Sequence, residues 1–250
     1  MTRLIRAEVA KLATTRTFRL LAIGALVLII AAVTLTALAT TYTGGGSPAR
    51  ATLALAGLAQ TFALIAGTLA VTSEFRHKTI VPAVLITPRR GRVLAAKLVT
   101  LAGAGLVFGL AASGIAAAIT LPVLAARHIG SGIDGAQLAA IIAGSGAATA
   151  IAAAIGVGAG AVIRNQVGAI VGLLSLLYVA EPLLGFIPHV GTAVQVYGLG
   201  GLASGATATT GFAATTHLLA QAPAIAVLAG YALAVLLAGA VVLRHRDITA

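Results

Sequence analysis

Residues 72–97, TSEFRHKTIVPAVLITPRRGRVLAAK, form a basic stretch between two long apolar runs. Its six basic side chains are Arg76, Lys78, Arg89, Arg90, Arg92 and Lys97. Charged residues make up only 8% of the chain, and a cluster of this density beside apolar runs is typical of a cytoplasmic loop between membrane spans. The stretch therefore predicts a membrane protein, and every other loop can be assigned to a side of the membrane from it.

The composition agrees with this interpretation. Of the 250 residues, 60% are hydrophobic, so the chain has too few polar side chains to cover a soluble core. The net charge of +11 does not indicate nucleic-acid binding, because the chain has no Trp and no basic face interleaved with aromatic residues. The absence of cysteine excludes disulfides, thiolate metal sites and thiol nucleophiles.

Six apolar runs are long enough to cross a bilayer, which takes about 20 residues. They cover residues 20–41, 52–71, 98–124, 138–163, 167–187 and 224–243. Residues 188–223 lack Lys, Arg, Asp and Glu and are rich in glycine, which predicts an external segment with short helices. The predicted fold is all-α, a single polytopic membrane domain of six spans.

Residues 1–19 contain five basic residues and predict an amphipathic helix in the membrane interface. Glu8 falls within its apolar arc, beside Leu12. Either this face of the helix contacts protein as well as lipid, or Glu8 pairs with Lys11 three residues further on.

The Lys and Arg distribution predicts the orientation. Fourteen of the sixteen lie in segments on one side of the predicted membrane, and only Arg50 and Arg127 lie on the other. The excess of Lys and Arg marks the cytoplasmic side, so both termini are expected in the cytoplasm of a multi-pass cell-membrane protein.

Motifs for covalent chemistry or metal binding are weak. Ser204 and His217 share one glycine-rich segment without an acid that would orient them, and the five His are scattered over both sides of the predicted membrane. No catalytic residue and no metal site are therefore expected. The phosphate-binding pattern GxxxxGK[ST] is also absent, so any ATP would be hydrolysed by another polypeptide.

Glu181 is the only acidic residue within a predicted span, and placing a carboxylate there costs about 3 kcal/mol. It is therefore a candidate for a functional role with Pro182, as part of an outer gate. The alternative is that Pro182 breaks the helix and leaves Glu181 near the outer interface, solvated or bonded to freed backbone amides.

The basic stretch contains more than orientation requires. Glu74 stands among basic residues, and Pro82 and Pro88 bracket a short apolar piece. Anchoring by positive charge needs neither an acid nor paired prolines. The pattern favours a short helix on the cytoplasmic surface that docks onto a partner protein.

Three stretches resemble the permease subunits of ABC type-2 transporters. Residues 73–80 (SEFRHKTI), with 87–90 (TPRR) and Lys97, are similar to the segment after the second span of that family. Residues 6–8 (RAE), Lys11-Leu12 and 14–16 resemble its N-terminal connecting helix, and residues 179–184 (VAEPLL) resemble a fifth-span motif of actinobacterial members. The sequence departs from the family at Lys78, where many relatives have Gly, so the local turn is expected to differ.

The resemblance implies an exporter subunit that does no covalent chemistry. A coupling helix would enter a cleft on a separate ABC ATPase, two permease copies (identical or different) would line the pathway, and ATP with Mg²⁺ would bind to the ATPase while this chain holds no cofactor. The implied ATPase-coupling residues are Glu74, Phe75, Arg76, His77, Lys78, Thr79, Ile80, Pro88, Arg89 and Arg90. The implied connecting-helix residues are Glu8, Lys11 and Leu12.

Two other classes stay open. An ion-coupled secondary transporter normally has several buried ionisable residues, and here only Glu181 is available. The other is a membrane protein that transports nothing, such as an anchor or an immunity factor.

Overall fold

The computed structural model describes residues 1–39, 47–76, 90–209 and 218–245, without the side chains of residues 90 and 243–245. Within these ranges every regular element is helical, and six helices are long and apolar enough to cross a membrane. The predicted all-α polytopic fold is confirmed.

The elements follow one another in a simple order. An N-terminal helix (Thr2–Thr14) precedes the first span (Arg16–Ala39). The second span comprises Pro48–Leu53, a 3₁₀ turn at Ala54–Gly57 and Leu58–Arg76. The third and fourth spans are Arg90–Ala126 and Gly135–Ile163. The fifth comprises Gln166–Ser175, a π-helical turn at Leu176–Ala180 and Glu181–Leu184. Two short helices, Gly191–Tyr197 and Leu199–Ala206, lead to the sixth span, Gln221–His245.

The basic loop is shorter than the predicted 72–97, because both flanking helices extend into it. The second span continues to Arg76, and the third begins at Arg90 rather than at residue 98. Lys and Arg are good helix formers whose stems cover apolar surface, so an apolar run marks the membrane-crossing part of a helix and not its ends. Glu74, Phe75 and Lys97 therefore lie on spans. The coupling residues from His77 to Arg89 lie outside the described residues.

Two other expectations about helix ends are corrected. The N-terminal helix stops at Thr14 because Thr15 is extended (ψ 120°), and the first span already begins at Arg16. Pro182 does not break the fifth span, which continues to Leu184. The π turn directly before Glu181 shifts the backbone hydrogen bonds, which accommodates a proline without an N–H. Between the fourth and fifth spans the chain turns at Arg164, which is left-handed (φ 57°), and at Asn165, whose side chain caps the fifth span.

The fourth span is the centre of the bundle and packs against the second, third and sixth. Glycine makes this possible: a methyl group added to Gly156 would overlap the carbonyl oxygen of Leu64, and one added to Gly67 would overlap that of Ala153. Small residues at such crossings let helix backbones approach closely. Gly172 on the fifth span differs, because a methyl group added there would have no other part of the described chain within 4 Å.

Contacts between spans define two ends of the bundle. The basic end holds the N-terminal helix, Arg76, Lys97 and Arg164. The opposite end holds the end of the first span, the start of the second and the connection between the third and fourth. At the opposite end Ser47 donates a hydrogen bond to the carbonyl of Ser131 (2.8 Å).

Candidate functional site

Four charged side chains meet at the basic end and are called here the ion cluster: Glu8, Lys11, Glu74 and Lys97. Lys97 Nζ lies 3.0 Å from Glu8 Oε2 and 2.8 Å from Glu74 Oε1. Lys11 Nζ lies 2.7 Å from Glu8 Oε1 and 2.9 Å from Glu74 Oε1. The ion cluster therefore joins the N-terminal helix to the end of the second span and the first part of the third.

Burial explains why these groups assemble. The Lys97 side chain is 4% exposed, and those of Glu8 and Glu74 are 13% and 12% exposed. An unpaired charge at such a site is strongly unfavourable, but two carboxylates and two ammonium groups sum to zero charge. Each buried group thus has two partners of opposite sign.

The electrostatics shift two pKa values in the N-terminal helix. Burial by itself would raise the pKa of Glu8, but the charge of Lys97 and the hydrogen bonds from Lys11 and Lys97 outweigh it, so this pKa is lowered. Burial would lower the pKa of Lys11, but its hydrogen bonds to Glu8 and Glu74 and their charges raise it. Both shifts favour the charged forms and hold the helix against the bundle.

The two alternatives for Glu8 prove compatible. Its carboxylate pairs with Lys11 on its own helix and with Lys97 on the third span. Leu12, on the same face, packs against buried residues of the spans. Sequence reasoning identified Glu8 but missed Lys97 as its partner, 89 residues away. The sequence signal that could have identified this pair is that Glu8 and Lys97 are oppositely charged residues in apolar surroundings.

Phe75 and Arg76 also have partners within the chain. The guanidinium carbon of Arg164 lies 5.1 Å from the centre of the Phe75 ring, a cation–π arrangement, and Arg164 donates to the carbonyl of Val242. Arg76 donates to the side chain of Gln166 (3.4 Å). Phe75 is thus half-buried against its own bundle. Of the remaining implied coupling residues, only the backbone of Arg90 is described.

A second site lies at the opposite end, around Glu181. Its Oε1 accepts a hydrogen bond from the backbone N–H of Leu199 (2.6 Å), and its Oε2 accepts one from Gly200 (2.9 Å). The carboxylate thereby caps the short helix Leu199–Ala206. Backbone amides do satisfy Glu181, but they belong to the segment before the sixth span and were not freed by Pro182.

Beside this carboxylate lies a cavity of about 520 Å³ between the second span, the fifth span and the two short helices. Most of its lining is apolar. Its polar groups include a hydroxyl pair, Thr61 Oγ1 and Tyr178 OH, 2.5 Å apart. Side chains of Gln60, Glu181, Gln195 and Ser204 also line it. Pro182 forms part of the same wall.

The weak motifs gain no support from the geometry. Ser204 donates its hydroxyl to the carbonyl of Gly200, and His217 lies outside the described residues. In the part of the chain that the structure describes, no three His, Asp or Glu side chains form a group that could hold a metal.

In comparisons with known proteins, no family model matches the sequence and no curated protein matches it.

Proposed function

We propose that this chain is the membrane-spanning permease subunit of an ATP-binding cassette exporter and works with a separate ABC ATPase and a second permease copy. ATP and Mg²⁺ would bind to the ATPase alone. The chain would contribute the substrate pathway in the cell membrane, with its basic end in the cytoplasm.

The ion cluster is the observation that carries this proposal. Glu74 and Lys97 stand on the two helices that lead into and out of residues 77–89, and the N-terminal helix is joined to both through Glu8 and Lys11. If a partner protein displaced residues 77–89, the second span, the third span and the N-terminal helix would therefore move together. Such linkage is what coupling between ATP-driven motion and membrane helices requires.

The scarcity of ionisable groups argues against ion-coupled secondary transport. Among the described residues that line the cavity, Glu181 is the only Asp, Glu, Lys, Arg or His. In secondary transporters, several buried ionisable residues bind the coupling ion.

The decisive experiment is purification of the tagged chain from its native membrane, with measurement of vanadate-sensitive, Mg²⁺-dependent ATP hydrolysis in the purified complex. Thr79→Ala with Ile80→Ala changes the loop without touching Phe75, whose ring contacts Arg164. We expect this variant to insert normally and to lose most of the co-purified ATPase activity.

The matched control is Ser131→Ala at the opposite end, which should retain the activity. If the loop served only to fix orientation, the Thr79/Ile80 variant would keep its ATPase, and neutralising Arg89, Arg90 and Arg92 would change the topology instead. That pattern, or a wild-type chain that purifies without ATPase activity, would contradict the proposal.

A further inference from the structure

We infer that the cavity beside Glu181 is a binding site for a hydrophobic organic cation, with the Glu181 carboxylate as its counter-charge. As a statement about the transported substrate, this rests on the proposed function. As a statement about binding, it stands on the geometry of this chain alone.

The size and lining of the cavity suit a small amphipathic molecule. Its volume of about 520 Å³ falls within the range of about 300–1,000 Å³ that is usual for small-molecule pockets. Leu64, Ile155 and Leu228 are among the apolar side chains of the wall, while Gln60 and Tyr178 supply a few polar groups. A largely apolar pocket with a small number of polar groups is the common pattern for ligand sites.

The charge of the site selects the ligand class. Among the described residues that line the cavity, Glu181 is the only charged one, and none is Lys, Arg or His. Within the described ranges, Glu181 takes part in no ion pair. An anionic ligand would meet repulsion without compensation, whereas a cation would supply the missing opposite charge.

The carboxylate keeps capacity for such a ligand although it already accepts two hydrogen bonds. A carboxylate has about four acceptor positions, and Leu199 and Gly200 occupy one on each oxygen. The helix that Glu181 caps contributes only about half a positive charge at its N-terminus, so negative charge remains to attract a cation. The same two bonds hold the carboxylate at the cavity wall, which lowers the entropic cost of binding.

Aromatic rings strengthen the preference for a cation. Tyr178 and Phe186 both line the cavity, and Phe186 is 84% exposed. The faces of such rings attract organic cations that have lost part of their hydration shell.

The test uses purified chain in detergent, without ATP or ATPase, and two probes of similar shape: the cation tetraphenylphosphonium and the neutral triphenylphosphine oxide. Equilibrium dialysis should give saturable tetraphenylphosphonium binding. Glu181→Gln, which keeps the shape and one acceptor oxygen, should weaken it about tenfold or more, as expected for loss of an ion pair in a partly desolvated site. Binding of the neutral probe should change little.

Asp134→Asn is the matched control, because it removes a carboxylate at the same end of the bundle, outside the cavity, and preserves a helix cap. It should leave binding unchanged. A second variant, Ala203→Leu, places a larger side chain in the cavity and leaves Glu181 in place, so it should weaken binding of both probes.

Three results would overturn the inference: no saturable binding of the cation by the wild type, equal affinities in Glu181→Gln and wild type, or unchanged binding in Ala203→Leu. If Glu181→Gln fails to fold, the inference is still tested by the Ala203→Leu variant and by the ratio of the wild type's affinities for the two probes. A negative result in the binding test would not bear on the ATPase experiment. Likewise, a chain that purifies without ATPase activity would not contradict cation binding at this cavity.

Discussion

Lys97 shows how one residue in an apolar helix can organise a larger structure. It is the only buried charged side chain in the described ranges, and two helices supply the carboxylates that it needs. Removing one partner from a buried ionic group leaves a charge uncompensated, which costs far more than a surface pair contributes. The two lysines of the ion cluster should therefore be unequal.

We expect Lys97→Met to lower the free energy of unfolding by about 3 kcal/mol. The reason is that Glu8 and Glu74, whose side chains are only 13% and 12% exposed, would lose their buried partner and pair with Lys11 alone. Lys11→Met should cost at most about 1 kcal/mol, because this side chain is 53% exposed and water screens it. SDS-induced unfolding of the purified variants measures both values, and equal losses would show that burial adds nothing to the cluster.

The pKa shifts of Glu8 and Lys11 predict how pH affects docking of the N-terminal helix. The pKa of Glu8 is lowered from 4.5, so its stabilisation is fully present above pH 4.5 and is lost as pH falls through the lowered value. The pKa of Lys11 is raised from 10.5, so its contribution is present below pH 10.5 and is lost as pH rises through the raised value. Docking should thus be constant between these limits.

A fluorophore on Ala7→Cys reports this docking, since the chain has no other cysteine. Its anisotropy should fall at the acid and alkaline limits. In a Glu8→Gln background the part of the acid transition that comes from Glu8 should disappear. A transition near neutral pH would be inconsistent with the shifts.

At the scale of elements, the contact between the second and fourth spans depends on the absence of a side chain at glycine. We expect Gly156→Ala to destabilise the protein by about 1–3 kcal/mol, because its methyl group would overlap the Leu64 carbonyl and push the helices apart. Gly114→Ala on the third span is the control, since nothing lies within 4 Å of its added methyl. It should be neutral or slightly stabilising. Equal effects on SDS-induced unfolding would show that close approach is not what Gly156 provides.

The sequence predicted the six spans but not the π turn or the helix cap, and the reasons are physical. Apolar runs identified all six spans, because an apolar run of about 20 residues can satisfy its own backbone groups in lipid by forming a helix. The sequence could not locate the π turn before Glu181 or the cap on Leu199, because both depend on contacts formed after folding. The helix Leu199–Ala206 contains Gly200, Gly201 and Gly205 and is weak by propensity. Burial of Leu202 and the Glu181 cap offset this weakness.

For the molecule as a whole, the two basic residues that depart from the predicted charge asymmetry have partners in the fold. At the opposite end, Arg50 donates to the carbonyl of Ala208 (3.1 Å). Arg127 donates to the carbonyl of Ala37, at the end of the first span. Both satisfy backbone carbonyls between elements, so their presence there has a structural explanation and does not weaken the orientation inferred from the other fourteen.

That orientation predicts a labelling pattern in intact cells, and a chain without cysteine suits the measurement. Ser47 and Ser131 lie on the expected outer side but are half-buried and hydrogen-bonded to one another, so Ala136, which is exposed at the start of the fourth span, is a better position. Ala136→Cys should react with a membrane-impermeant maleimide in intact cells.

Cysteines at Ala7 or Thr79 should react only after the membrane is permeabilised, because the orientation predicted from the Lys and Arg excess assigns both positions to the cytoplasmic side. Ala7 serves as the internal control, since it is exposed on a helix that the ion cluster joins to the second and third spans. Labelling of Ala7→Cys from outside, with Ala136→Cys protected, would reverse the orientation. It would also exclude a cytoplasmic ATPase from contact with residues 77–89, because the ion cluster keeps both neighbours of that stretch on the side of the N-terminal helix.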